Sequence, residues 1–180
     1  MSLQNRQNLL AKLYTDAEFR RAFLSEPAKI GAQNNLSSDE IEEIAAVMPE
    51  ELEFFAESLF WKRLREVEKF LPLTLRALGD DFSSLFREFS QEYNPQSVKK
   101  HLEDALEFCR FLESQNISEP AKNAAKYERS KHEFFAFEKH LIVCRLDFDI
   151  IKYQHTGVWE EKKKIAVWLR IGSRVKHFFI

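Results

Sequence analysis

Residues 49–89, PEELEFFAESLFWKRLREVEKFLPLTLRALGDDFSSLFREF, carry the longest helical pattern of the chain and the one proline set inside such a pattern. Leu52, Phe55, Ala56, Leu59, Phe60 and Leu64 recur at three- and four-residue steps, and Val67, Phe70 and Leu71 continue the stripe. That spacing predicts a helix with one buried face. Glu53, Glu57, Lys62, Arg63, Glu66 and Lys69 lie opposite it. Pro49 fits a first turn, where its missing N–H costs nothing, and Glu50, Glu51 and Glu53 complement the positive end of the helix dipole. Pro72 cannot be accommodated in the same way. An interior proline removes a backbone hydrogen bond and clashes with the carbonyl four residues back, at roughly 3 kcal/mol, so the helix breaks there. A second segment, Leu73 to Leu78, ends at Gly79, and Asp80 or Asp81 caps a third helix with Phe82, Leu85, Phe86 and Phe89 on one face.

Working back towards residue 1, Ser37 with Glu40 forms a capping-box pattern that starts a helix through Ile41, Ile44, Ala45 and Met48. Thr15 with Glu18 gives the same signal for a helix that carries Phe19, Phe23 and Leu24 and stops before Pro27. Residues 3–14 form an amphipathic helix around Leu9, Leu10 and Leu13, and Ile30, Gly31 and the polar run after them read as a helix end and turn. Three short helices are therefore expected ahead of the long one.

Working forward, Asn94-Pro95 interrupts the helical pattern, because the residue before a proline is pushed out of helix. Ser97 to Leu112 resumes it, with Val98, Leu102, Ala105, Leu106, Cys109 and Leu112 on or near one face. Residues 114–120 are the linker candidate, followed by a helix over 121–137. From about Lys139 the period changes to two. Ile142, Cys144, Leu146, Phe148 and Ile150 alternate with Val143, Arg145, Asp147 and Asp149, a strand pattern. Residues 154–163 read as a polar loop, including the solubilising Glu160–Lys164 run. A strand over 164–171, the Gly172-Ser173 turn and a strand over 174–180 complete a three-stranded antiparallel meander. The expected fold is α+β, mainly α: a helical bundle over 1–113, then a helix and small antiparallel sheet over 121–180 that packs on the bundle.

Composition narrows the function classes. A formal net charge of -2 provides no global basic field, so nucleic acid is disfavoured as a partner. Four glycines leave no phosphate-cradling loop, and the seventeen phenylalanines are accounted for by packing. There is no signal peptide and no apolar run near membrane-spanning length, which points to a reduced cytoplasmic protein. His101, His132, His140, His155 and His177 show no metal-ligand spacing, Cys109 and Cys144 sit on apolar faces, and no serine-nucleophile motif occurs. No catalytic, cofactor or metal role is assigned to any residue. The sharpest functional feature is the C-terminal strand. Trp168, Phe178 and Ile180 are expected opposite the Ile165, Val167 and Leu169 set, on a sheet whose last strand is an edge that can accept another chain by strand addition. Trp168, Arg170, Lys176 and Phe178 are the candidate peptide-binding residues. A helical DNA-binding regulator, using Lys62, Arg63, Arg65 and Lys69, is the alternative.

Two runs also carry a family likeness. Arg65–Phe89, with its proline followed by Leu78-Gly79, and Ala124-Ala125-Lys126-Tyr127-Glu128 resemble signatures of bacterial proteins that bear a DNA-binding label and are encoded beside, or fused to, multinuclear non-haem iron oxidative enzymes. The likeness spans residues 49–180. It implies that a TIM-barrel iron enzyme modifies cysteine or nearby residues of a ribosomally made precursor peptide, while the partner protein binds the enzyme and helps present the peptide. By this resemblance the chain is the partner and holds no cofactor. Residues 16–27, DAEFRRAFLSEP, look like small helical subunits or leader-like segments found near peptide-modifying systems.

Overall fold

The computed structural model describes residues 3–47, 49–95 and 98–180. Met48 and Ser97, assigned above to helices, lie outside the described residues. Among those described, ten helices precede or flank a three-stranded antiparallel sheet: α1 Leu3–Thr15, α2 Ala17–Ser25, α3 Pro27–Gln33, α4 Ser38–Ala45, α5 Pro49–Phe70, α6 Pro72–Leu78, α7 Asp81–Glu92, α8 Lys100–Ser114, α9 Glu119–Ala136, β1 Leu141–Phe148, α10 Ile150–Thr156, β2 Glu161–Ile171 and β3 Arg174–Phe179. The fold is α+β and mainly α, as the hydrophobic periods predict. The chain divides into two compact units, Met1–Arg63 and Leu64–Ile180, with the division inside α5.

The first unit is built around Leu9, Leu13, Phe23, Leu36 and Ile44, with Leu10, Phe19, Ile30 and Ile41 packed on them. The Ser37–Glu40 capping box forms as expected. At α2 the cap is Asp16 and not Thr15: the Asp16 carboxylate accepts from the Phe19 amide, while Thr15 completes α1 and bonds back to the Ala11 carbonyl. Four short helices, not three, precede α5, because Pro27 starts α3 at its first turn instead of merely ending α2. Arg20 is buried; its guanidinium bonds the Glu53 carboxylate at 2.8 and 3.0 Å and the Leu13 carbonyl at 2.7 Å. Gly31 is required by close approach, since a Cβ there would lie 2.4 Å from Ile41 Cγ1.

In the second unit the break at Pro72 falls where expected, and its consequences are absorbed by α9. The break frees the amides at the start of α6 and the carbonyl at the end of α5. Glu128 accepts from the Leu73 amide at 2.8 Å, the Thr74 amide at 2.9 Å and the Thr74 hydroxyl at 2.7 Å. One turn on, His132 Nε2 lies 2.6 Å from the Phe70 carbonyl, and as an N–H donor it satisfies that carbonyl. Spacing of four residues puts both side chains on one face of α9. Burial pushes the Glu128 carboxyl above its ordinary range despite these bonds, and lowers the His132 imidazole. Gly79 ends α6 with φ 57°, and Asp80 precedes α7 without a side-chain capping bond.

Phe82, Phe86 and Phe89 of α7 bury their shared face against Phe108 of α8, with ring centroids 5.2–5.5 Å apart. Val98 is exposed, not on that face. Of the linker candidate, residues 114–120, only 115–118 lie outside helices, a short connector within this unit between α8, which ends at Ser114, and α9, which starts at Glu119. Ala124, Tyr127 and Phe134 of α9 join Cys144, Leu146, Ala166 and Trp168 of the sheet and Ile150 and Tyr153 of α10 in one core. Helix α10 replaces what the sequence presents as strand end and loop: Asp149 caps it by accepting from the Ile151 and Lys152 amides, so Ile150 is buried in a helix. Of the expected 154–163 loop, residues 157–160 alone remain a connector, and 161–163 belong to β2, which begins at Glu161.

Replacing Glu128 by Ala would leave two amides and a hydroxyl without acceptors. It should destabilise the Leu64–Ile180 unit by on the order of 3 kcal/mol in chemical denaturation, with Glu128→Gln milder. Gly31→Ala should cost the Met1–Arg63 unit roughly 1–3 kcal/mol through overpacking against Ile41. Folded His132 binds its proton less readily than unfolded His132, so its contribution is lost as pH falls below the ordinary value of 6.5. Because Glu128 acts with the opposite sign, this contribution should be read as the wild-type minus His132→Gln difference in urea midpoint between pH 7.5 and 5.5 (about two units apart, spanning the histidine range).

Candidate functional site

The sheet has the order β1-β2-β3, leaving β1 and β3 as edges. The hairpin β2–β3 turns through two residues, with Ile171 opposite Arg174 and Gly172 at φ 59°, the positive angle a tight hairpin demands at its first turn position. This turn fixes the register: Val167 faces Phe178, Trp168 faces His177 and Leu169 faces Lys176. Directly opposed residues point to the same side of a sheet. The four candidate peptide-binding residues therefore divide between two faces.

Trp168 is 1% exposed. It stacks on His177 with centroids 4.7 Å apart and rings within 13° of parallel, and meets Tyr127 of α9 at 5.4 Å. The expectation that Trp168 shares an open face with Phe178 is corrected: Trp168 is a core residue on the α9 side. Arg170 lies on that side too, its guanidinium 5.2 Å from the Phe134 ring centre. Phe178 and Lys176 lie on the other side, with Val167, Leu169 and Val143. Phe178 is 42% exposed and Ile180 74% exposed. Ile180 exchanges two backbone bonds with Ile165, so it extends the same row.

That reciprocal pair also sets which backbone groups are free. In an antiparallel ladder the bonded pairs alternate, so residues 174, 176, 178 and 180 bond inward to β2. Val175, His177 and Phe179 turn their N–H and C=O groups to the open side. Among the described residues none of these three makes a backbone bond outside the ladder. The β1 edge, Leu141–Phe148, is longer than β3 but irregular at its end. Its register shifts between Leu146 and Phe148, and Asn123 Oδ1 accepts from the amides of Asp147 at 3.0 Å and Phe148 at 3.4 Å.

The reactive candidates are withdrawn into the core. Cys109 and Cys144 are buried, and burial raises both thiols above their ordinary value. Tyr127 is pushed up to about 12 by the same cause. Among the described residues no three of His, Cys, Asp and Glu are grouped so as to hold a metal ion, and no helix is long and apolar enough to cross a membrane. In the alternative basic patch on α5, Lys69 lies 2.6 Å from Glu66 Oε1.

A family model described as SCO6045-like, C-terminal domain, matches residues 45–114. The chain is similar to that family from the residues just ahead of α5 to the end of α8. The match includes the Pro72 break and stops before α9 and the sheet. No curated protein matches the chain.

Sequence reading missed three features of the sheet: the free groups of Val175, His177 and Phe179, the row Arg174, Lys176, Phe178 and Ile180, and the blunting of β1 by Asn123. A signal for the cationic part of that row was available, since no Asp or Glu occurs after Glu161. Trp168→Ala should cost roughly 3–5 kcal/mol in urea unfolding, whereas Phe178→Ala should change stability by less than about 1 kcal/mol.

Proposed function

We propose that this chain is a non-catalytic accessory protein that docks on an iron-dependent oxidative enzyme and presents a ribosomally made precursor peptide to it. The observation that carries this reading is the open β3 edge. It offers alternating donors and acceptors at Val175, His177 and Phe179, beside exposed apolar side chains, which is the chemistry of strand addition. The enzyme class rests on the resemblance of Arg65–Phe89 and Ala124–Glu128 described above. Those two runs meet in the fold, because Glu128 bonds Leu73 and Thr74 across the Pro72 break. The helical body supplies the enzyme contact and the sheet guides the peptide. The DNA-binding alternative is weaker, given the acidic balance of the chain and the Lys69–Glu66 pair.

Co-expression with an iron-dependent oxidative enzyme from the same genome, followed by co-purification, native mass determination and metal analysis, tests the proposal. The expected result is a defined complex with iron confined to the other subunit. Isolation of this chain alone, carrying stoichiometric metal or nucleic acid of its own, would overturn it.

A further inference from the structure

The hairpin carries a local charge that the whole chain conceals. Lys162, Lys163, Lys164, Arg170, Arg174 and Lys176 fall between residue 162 and residue 180 with no Asp or Glu among them, in a chain whose formal net charge is -2. Two of these cations are engaged: Lys164 lies 2.7 Å from Asp149, and Arg170 covers Phe134. Lys162, Lys163, Arg174 and Lys176 have no ion pair among the described residues. Arg174 and Lys176 stand on β3 itself, on the same side as Phe178 and Ile180.

Building on the peptide-presenting reading, we infer that the β3 edge takes an acidic extended peptide with a defined alternation. The outward row of β3 runs Arg174, Lys176, Phe178, Ile180, each two residues from the next. An added strand places every second side chain about 4.5–5.5 Å from its opposite number. The complementary segment, added antiparallel, therefore has from its N-terminus two apolar residues and then two acidic residues at alternate positions, with the apolar groups against Ile180 and Phe178 and the carboxylates against Lys176 and Arg174. Its backbone bonds the free groups of Val175, His177 and Phe179.

Three observations favour this occupant. A phosphodiester chain offers acceptors alone and would leave the carbonyls of Val175, His177 and Phe179 unpaired, whereas a peptide backbone supplies donors as well. Val175, Phe178 and Ile180 expose apolar surface that a polyanion does not cover. A second copy of this chain pairing through β3 would bring together two hairpins that each set six cations against the one acid Glu161, and like charges at that range repel. The β1 edge, bulged and clamped by Asn123, is the poorer acceptor.

The test is fluorescence anisotropy with the full chain and labelled synthetic peptides of about ten residues, a usual strand length. One peptide carries, from its N-terminus, Leu, Val, Glu and Glu at alternate positions, the order that antiparallel addition requires. The others are a scramble of the same composition, a version with Gln for Glu, and a version N-methylated at alternate amides; a single-stranded oligonucleotide completes the set. The patterned acidic peptide should bind and weaken with added salt. Lys176→Glu and Arg174→Glu should each weaken it roughly tenfold or more, with circular dichroism and urea midpoint unchanged, and N-methylation should abolish binding. Equal binding of the Gln and Glu versions, or of the scramble, overturns the acidic alternation but leaves peptide presentation standing. Capture of the oligonucleotide with no peptide bound, or no binding by any probe, overturns both.

Discussion

Everything in the Leu64–Ile180 unit depends on how the chain closes the gap that Pro72 opens. Two helices end head to tail at that residue, and unpaired backbone groups in a buried place are costly. The remedy comes from 54 and 55 residues away in sequence, where Glu128 gathers the orphan donors and His132, one turn later, reaches the orphan carbonyl. A carboxylate and an imidazole on one helical face thus match the two polarities of a helix break. With α9 held there, its other faces are committed as well: Tyr127 and Phe134 meet the sheet, and Ala124 and Ala125 are fully buried. The position of the sheet is in this sense a consequence of the proline.

How much of this could be read from sequence depended on whether the deciding physics was local. The Pro72 break, the Ser37–Glu40 box, the phenylalanine face of α7 and the alternation in β1 are each set by residues within a few positions, and each was legible. Asp149 and Pro27 show the limit of local reading. Both can end one element or begin another, and only the observed caps reveal that they begin α10 and α3. Glu128 looked like any solvated glutamate, because nothing near it in sequence announces partners so far away.

The three-stranded antiparallel meander was legible, but which residues of neighbouring strands share a face was not, for a different reason. Alternation within a strand tells which residues share a face, but not which face of the neighbouring strand lies beside them. That relation is fixed by turn length, and a two-residue turn sets Trp168 beside His177 and Phe178 beside Val167. Trp168 was therefore the natural guess for a docking aromatic and is in fact the largest residue of the interior. That the last strand is an edge was legible, but which of its residues turn their backbone groups outward was not, since an unpaired amide has no signature in side-chain pattern. Charge was the exception, because the run of cations without anions is plain once the hairpin is seen as one object.

The two edges of the sheet are unequal, and this limits what the molecule can build. Continuous growth of a β-stack requires every unit to receive a neighbour on one side and offer an equivalent ribbon on the other. Here one side is a clean ribbon, whereas the other is kinked at Leu146/Phe148 and stoppered by the carboxamide of Asn123. Stacking of one copy's β3 on another's β1 is therefore opposed at the Asp147–Phe148 end. The edge open to extended chains is thus paired with one less suited to receive its like.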